Sequence, residues 1–117
     1  NSSHVSISYA VFCLKKKTPY IAVVGNNSAM NQIRYGQMAK YGPQRGNIGN
    51  KLGDMEFSYF PKQWGAWGIE VREAAKIAPA LKQAREMVAK TGKSAVVNVC
   101  VDPNEYAPGM KNQTMYK

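Results

Sequence analysis

Histidine is nearly missing from this chain of 117 residues, with His4 the single example. It has no Cys or Asp at ligand spacing, so it founds neither a zinc centre nor a histidine-based nucleophile or base relay. Cysteine is almost as scarce. Cys13 and Cys100 form no CxxC or zinc-like pattern and read as buried or unbridged thiols of a reducing compartment. No stretch reaches the ~18 apolar residues of a membrane span. The start, Asn1-Ser2-Ser3-His4, lacks a basic segment followed by a long apolar one, so no signal peptide is expected and the expected location is cytoplasmic. Asn112-Gln113-Thr114 fits a glycosylation sequon, which without an export signal is chance. Acidic residues are few, 7 against 16 basic, giving a net charge of +9. That balance suits an anionic partner such as nucleic acid, a coenzyme or a diphosphate. The basic residues are scattered, however. Their one run, Lys15-Lys16-Lys17, reads as a solvated helix end, and no RNA-binding or helix-turn-helix signature occurs, so nucleic acid is not the expected partner.

What is present begins with Ile21-Ala22-Val23-Val24 followed by Gly25-Asn26-Asn27. An apolar run of strand formers ending in Gly and Asn predicts a strand buried on both faces of a parallel sheet. Ligands of open α/β sheets bind just beyond the carboxyl ends of strands. Two amides therefore stand at such an end, and an amide oxygen is a hard ligand suited to magnesium or calcium. By itself the Asn-Asn pair also fits a plain turn.

Upstream, Val5–Leu14 predicts a helix with Ile7, Ala10, Val11 and Leu14 on one side, ended by Thr18-Pro19. Downstream, Ser28 reads as the N-cap of a helix from about Ala29 to Lys40, stopped by Gly42-Pro43. Residues 42–56 read as a long surface loop, a length often tied to function. Its Arg45 and Lys51, like Asp54 and Glu56, read as solvated charge. A short helix is expected over Glu56–Trp64, with Trp64 and Trp67 as core residues. A strand follows at Gly68–Val71, then a helix over Glu73–Lys90 with Ile77, Leu81, Ala84 and Val88 on one face and Thr91-Gly92 as its C-cap. Ser94–Val101 is a last buried strand, ended by Asp102-Pro103, and the polar segment 104–117 is a tail. Helices alternating with strands argue an α/β fold, a mostly parallel sheet with helices on both faces. Three strands are few for such a sheet and no initiator Met is present, so a single, partial and truncated domain is expected.

Several residues, in order, carry a resemblance: Pro19 to Asn27, Gln32-Ile33-Arg34, Gly42-Pro43, Phe60, Trp64 to Gly68, Ile77 to Leu81, Val96 to Val99, and Asp102-Pro103. Together they resemble the C-terminal, diphosphate-binding domain of thiamine diphosphate (TPP)-dependent enzymes. Within that superfamily the chain is most similar to the branch of acetolactate synthase, benzaldehyde lyase, oxalyl-CoA decarboxylase and 2-hydroxyacyl-CoA lyase. Residues 1–16 match poorly. The resemblance implies that Asn27 is a Mg²⁺ ligand, that the carbonyl of Ala29 is a second, and that Asn26, Asn27, Ser28, Ala29 and Met30 line the cofactor diphosphate. It also implies a Gly-Asp-Gly triplet whose Asp completes the metal site. The chain has no such triplet. Counting back from Asn27, its Asp falls just before residue 1 and Asn1 occupies its last Gly. The family's Glu in the next helix is unmatched, with Ser8 and Tyr9 near its place, and Asn31 stands where many members carry Gly.

The function implied is that of a fragment of a Mg²⁺–TPP-dependent carboligase, lyase or decarboxylase acting on 2-keto or 2-hydroxyacyl substrates. The family's cofactor-activating Glu belongs to an N-terminal domain of the partner subunit. The resemblance thus implies further domains of the same enzyme as partners, a homo-oligomer, no catalytic residue in this chain and no activity of the chain alone. The alternative, from charge and size, is a non-enzymatic basic α/β module that binds RNA or another polyanion.

Overall fold

The computed structural model describes residues 18–104. The expected helix Val5–Leu14, His4, Cys13, the lysine run and the tail beyond Asn104 lie outside the described residues. The elements are β1 (Ile21–Asn26), α1 (Asn31–Gly46), α2 (Tyr59–Lys62), β2 (Trp67–Val71), a 3-10 turn (Ala74–Lys76), α3 (Ile77–Thr91) and β3 (Ala95–Cys100). They belong to two compact units, one of residues 18–25 and 56–99, the other of 26–55 and 100–104.

The first unit holds the parallel sheet, in the order β1-β3-β2. β2 and β3 pair Trp67 with Ala95, Ile69 with Val97 and Val71 with Val99. At the entrance of β1, Ala95 N–H donates to Tyr20 O at 2.9 Å and Tyr20 N–H to Ser94 Oγ at 3.2 Å. Because strand side chains alternate, those six β2 and β3 residues share a face. α3 covers it, burying Ala80 and Ala84 against Val71, Ala95 and Val97, with Ile77, Leu81 and Val88 packed around them. Alanine at the contact lets the helix backbone approach closely. Pro79 is the third residue of α3, where its missing N–H has no intrahelical acceptor to lose. The helix stops at Gly92, which adopts φ 66° and donates its N–H to Val88 O.

The opposite face carries Gly68, Glu70, Val96 and Asn98. Here the turn leading into α2 sits on Gly68, whose missing Cβ makes room for Ser58 O and Pro61. Helical segments thus cover both faces of a parallel sheet, as the alternation of elements predicts.

Two expectations are corrected. β1 is not buried on both faces, since Val23 is 56% exposed. Among the described residues β1 is an edge strand, and α3 directs its apolar side mainly to β2 and β3, reaching β1 at Ile21. Nor is Trp64 a core residue: it is 70% exposed. α2 ends at Lys62, so Trp64 falls in the following turn, while Ser58 and Pro61 do the packing. Trp67, on β2, does join the core.

In the second unit the break at Gly42-Pro43 is real. Gly42 has φ 78° and ψ 169°, which kinks α1 there, and one more helical turn runs to Gly46. The segment read as surface loop is partly ordered as well. Asn50 is 3% exposed, its Nδ2 donating to Gln37 Oε1 at 2.6 Å and to Gly46 O at 2.7 Å.

Candidate functional site

The segment Asn26–Met30 leaves the end of β1 and enters α1, and its shape comes from two successive side-chain turns. Asn26 Oδ1 accepts the N–H of Ser28 at 3.0 Å, and Asn27 Oδ1 accepts that of Ala29 at 3.2 Å. Asn favours this local capture of the backbone. Ser28 sits at φ 51°, the left-handed region. The expected N-cap at Ser28 is therefore not formed. The residue before α1 is Met30, which makes no side-chain cap, and the helix begins at Asn31.

A short antiparallel bridge between Ala29 and Lys51 holds this segment in place. Its two bonds run from Met30 N–H to Asn50 O at 2.8 Å and from Leu52 N–H to Ser28 O at 3.0 Å. Ala29 and Lys51 are thus the non-hydrogen-bonded pair, and the carbonyl of Ala29 takes no part in either bond.

The five predicted residues differ in what they have left to offer. Asn26 is 6% exposed, and its Nδ2 donates to Met55 O at 2.7 Å while its Oδ1 holds Ser28. Its amide is committed to the backbone. Asn27 is half-buried, and its Oδ1, holding one N–H, retains a lone pair. Ser28 gives its carbonyl to Leu52, and Met30 gives its carbonyl to Arg34 N–H at 2.9 Å. Of the proposed metal donors, Asn27 Oδ1 and the Ala29 carbonyl, neither is consumed by the bridge.

Both donors are oxygens of the hard type that Mg²⁺ takes, and both are neutral. Among the described residues no cluster of three or more His, Cys, Asp or Glu could hold a metal. The donor set would suit a Mg²⁺ whose charge is balanced mainly by a bound diphosphate. It does not fit a self-contained protein cage. Arg45 and Lys51 are solvent-exposed, and Glu56 is engaged, its Oε1 accepting from Ser58 Oγ at 2.9 Å.

Sequence reading missed the polar network behind this segment. Arg34, noted only within a resemblance, donates through Nε to Asn47 Oδ1 at 2.7 Å. Asn31 Nδ2 donates to Pro103 O at 2.8 Å, and Tyr35 Oη donates to the same carbonyl. One weak signal exists, the spacing of Asn31, Arg34 and Tyr35 on a single helix face.

A family model, the thiamine pyrophosphate enzyme C-terminal TPP-binding domain, matches residues 4–99. The Bacillus subtilis (strain 168) protein YdaP, described as thiamine pyrophosphate-containing, is 32% identical over 98 residues. The aligned part is 82% of this chain and 16% of YdaP, so the chain spans about a sixth of that relative's length.

Proposed function

Because this chain belongs to the family of thiamine pyrophosphate enzyme C-terminal TPP-binding domains, we propose that Asn26–Met30 is its diphosphate-binding segment. Asn27 Oδ1 and the Ala29 carbonyl would hold Mg²⁺, and the metal would join them to the cofactor diphosphate. The observation that carries this reading is the Ala29–Lys51 bridge, which holds the segment in place while leaving the Ala29 carbonyl out of its bonds.

When bound, the cofactor supplies stabilisation of negative charge on a carbon next to a carbonyl. What this chain's own residues do is orient. The two Asn turns shape the segment, the bridge supports it, and Asn27 and Ala29 present oxygens. The parent protein would be a cytoplasmic, homo-oligomeric carboligase, lyase or decarboxylase of the acetolactate synthase, benzaldehyde lyase and 2-hydroxyacyl-CoA lyase branch, acting on 2-keto or 2-hydroxyacyl substrates. Further domains would supply the carboxylate ligand and the cofactor-activating acid. Family membership does not favour the polyanion-binding alternative.

The test is calorimetric titration of the natural polypeptide carrying residues 1–117 with thiamine diphosphate, with and without Mg²⁺. Metal-dependent binding that Asn27→Ala weakens supports the reading. Metal-independent binding, or no effect at Asn27, would sink it.

A further inference from the structure

Arg34 donates to four different acceptors, and its partners are unusual in kind. Its Nε donates to Asn47 Oδ1 at 2.7 Å, one terminal nitrogen to Asn31 Oδ1 at 3.5 Å and Pro103 O at 3.4 Å, and the other to Asn104 Oδ1 at 3.3 Å. All four acceptors are neutral. The side chain is half-buried and makes no ion pair among the described residues. A guanidinium usually takes a carboxylate or phosphate as partner when it leaves water. Here the planar fork instead ties together three stretches of the chain, mostly through Asn side chains: the first turn of α1, the turn at residue 47, and the chain just after β3.

The place of that knot matters. Asn31, one of its members, directly follows the segment that bears Asn27 and Ala29. Arg34 also closes the first turn of α1 through its own backbone, donating N–H to Met30 O at 2.9 Å. Pro103 O collects donors from Asn31, Arg34 and Tyr35, so the helix start is anchored from outside the helix. A positive charge that has no carboxylate partner among the described residues, beside a helix N-terminus, adds to the favourable potential that terminus offers an anion.

We propose that Arg34 is a positioning residue for the diphosphate segment, holding the first turn of α1 and placing there a positive charge that pairs with no carboxylate among the described residues. The proposal rests on the diphosphate reading above. Two contributions follow from it. The fork fixes the helix start that directly follows Asn27 and Ala29, and the charge strengthens binding of the anionic cofactor in a way that salt screens.

The experiment measures Mg²⁺–thiamine diphosphate affinity against ionic strength by calorimetry, in the natural polypeptide, for wild type, Arg34→Gln, Arg34→Lys and Tyr35→Phe. Arg34→Gln is expected to lose about tenfold or more in affinity, the scale of a hydrogen bond to a charged group, and to show a shallower salt dependence. Arg34→Lys keeps the charge but not the fork, so it is expected to retain the salt slope while losing affinity. Tyr35→Phe removes a donor from Pro103 O without touching charge, and its slope should stay that of wild type. Arg34→Gln binding within about twofold of wild type would overturn the proposal. So would a loss in Arg34→Gln that leaves the salt slope unchanged, which is the mark of a merely structural role. If Arg34→Gln does not fold, the Arg34→Lys slope decides: one as shallow as that of a neutral site would overturn the proposal. Absence of binding in the wild type would instead overturn the diphosphate reading itself.

Discussion

The backbone carbonyl of Ser58 occupies the space in which a side chain at Gly68 would begin, and Pro61 Cγ would lie 2.9 Å from that atom. Gly68 is on β2, paired with Val96, so the strand cannot move aside without disturbing the ladder. Gly68→Ala is expected to destabilise the fold by about 1–3 kcal/mol, the usual cost of overpacking. Thermal unfolding measures it, and an unchanged midpoint would show that the turn at Ser58 yields.

On the same face, Asn98 is fully buried and its Oδ1 has no hydrogen-bond partner among the described residues, while its Nδ2 donates to Glu70 Oε2 at 3.3 Å. A buried acceptor left without a donor costs about 1–3 kcal/mol. Glu70 is 23% exposed in its side chain and pairs with Arg72 at 2.6 Å, so it keeps other partners when Asn98 is removed. Asn98→Val, which brings in a strand former of slightly larger volume and removes the unpaired acceptor, is therefore expected to leave stability equal or raise it by about 1 kcal/mol. A clear loss in denaturant titration would mean that the carbonyl is satisfied in the assembled protein.

The end of α3 gives a backbone test. Gly92 sits at φ 66° as the C-cap, where a Cβ is disfavoured by about 1 kcal/mol or more. Space is not the issue, since a Cβ there meets nothing within 4 Å. Gly92→Ala should lower stability by that amount and Gly92→Asn by less, because Asn tolerates the left-handed region. Equal effects of the two would refute the conformational explanation.

Much of this fold was legible because it is written in local terms. The face of Ile77, Leu81, Ala84 and Val88, the cap at Gly92 and the apolar runs of β2 and β3 follow from periodicity and turn chemistry. Trp64 was misread because an aromatic residue carries the same signal whether its helix continues or ends one turn earlier. Val23 was misread because burial depends on strand order, which β1 cannot encode by itself. Around the candidate site, Asn26 and Asn27 stood out as a pair. The Lys51 bridge and the Arg34 knot did not, since both depend on residues that meet only after folding.

Binding by the 117-residue chain alone is the fourth test. Asn27 and Ala29 offer neutral oxygens only, and no carboxylate cluster supplements them among the described residues. Mg²⁺–thiamine diphosphate should bind this chain weakly or undetectably in calorimetry, and submicromolar affinity would contradict that.

Self-association of the isolated chain is the fifth. β1 is an edge strand among the described residues, with Val23 56% exposed, and edges with apolar side chains invite pairing. Light scattering should detect oligomers that grow with concentration, whereas a monodisperse monomer would count against the idea.

The position of β3 between β1 and β2 bears on how this polypeptide emerges from a ribosome. Among the described strands the central one is the last to be made, and its first contact, from Tyr20 to Ser94, spans 74 residues of sequence. β1 and β2 must wait, unpaired with each other, until Ala95–Cys100 arrives to join them. Closing so long a loop before any sheet forms is slow, and it leaves β1 exposed meanwhile. Ribosome stalling before Ala95 should therefore yield a nascent chain that a protease cuts within β1, and release past Cys100 should protect it.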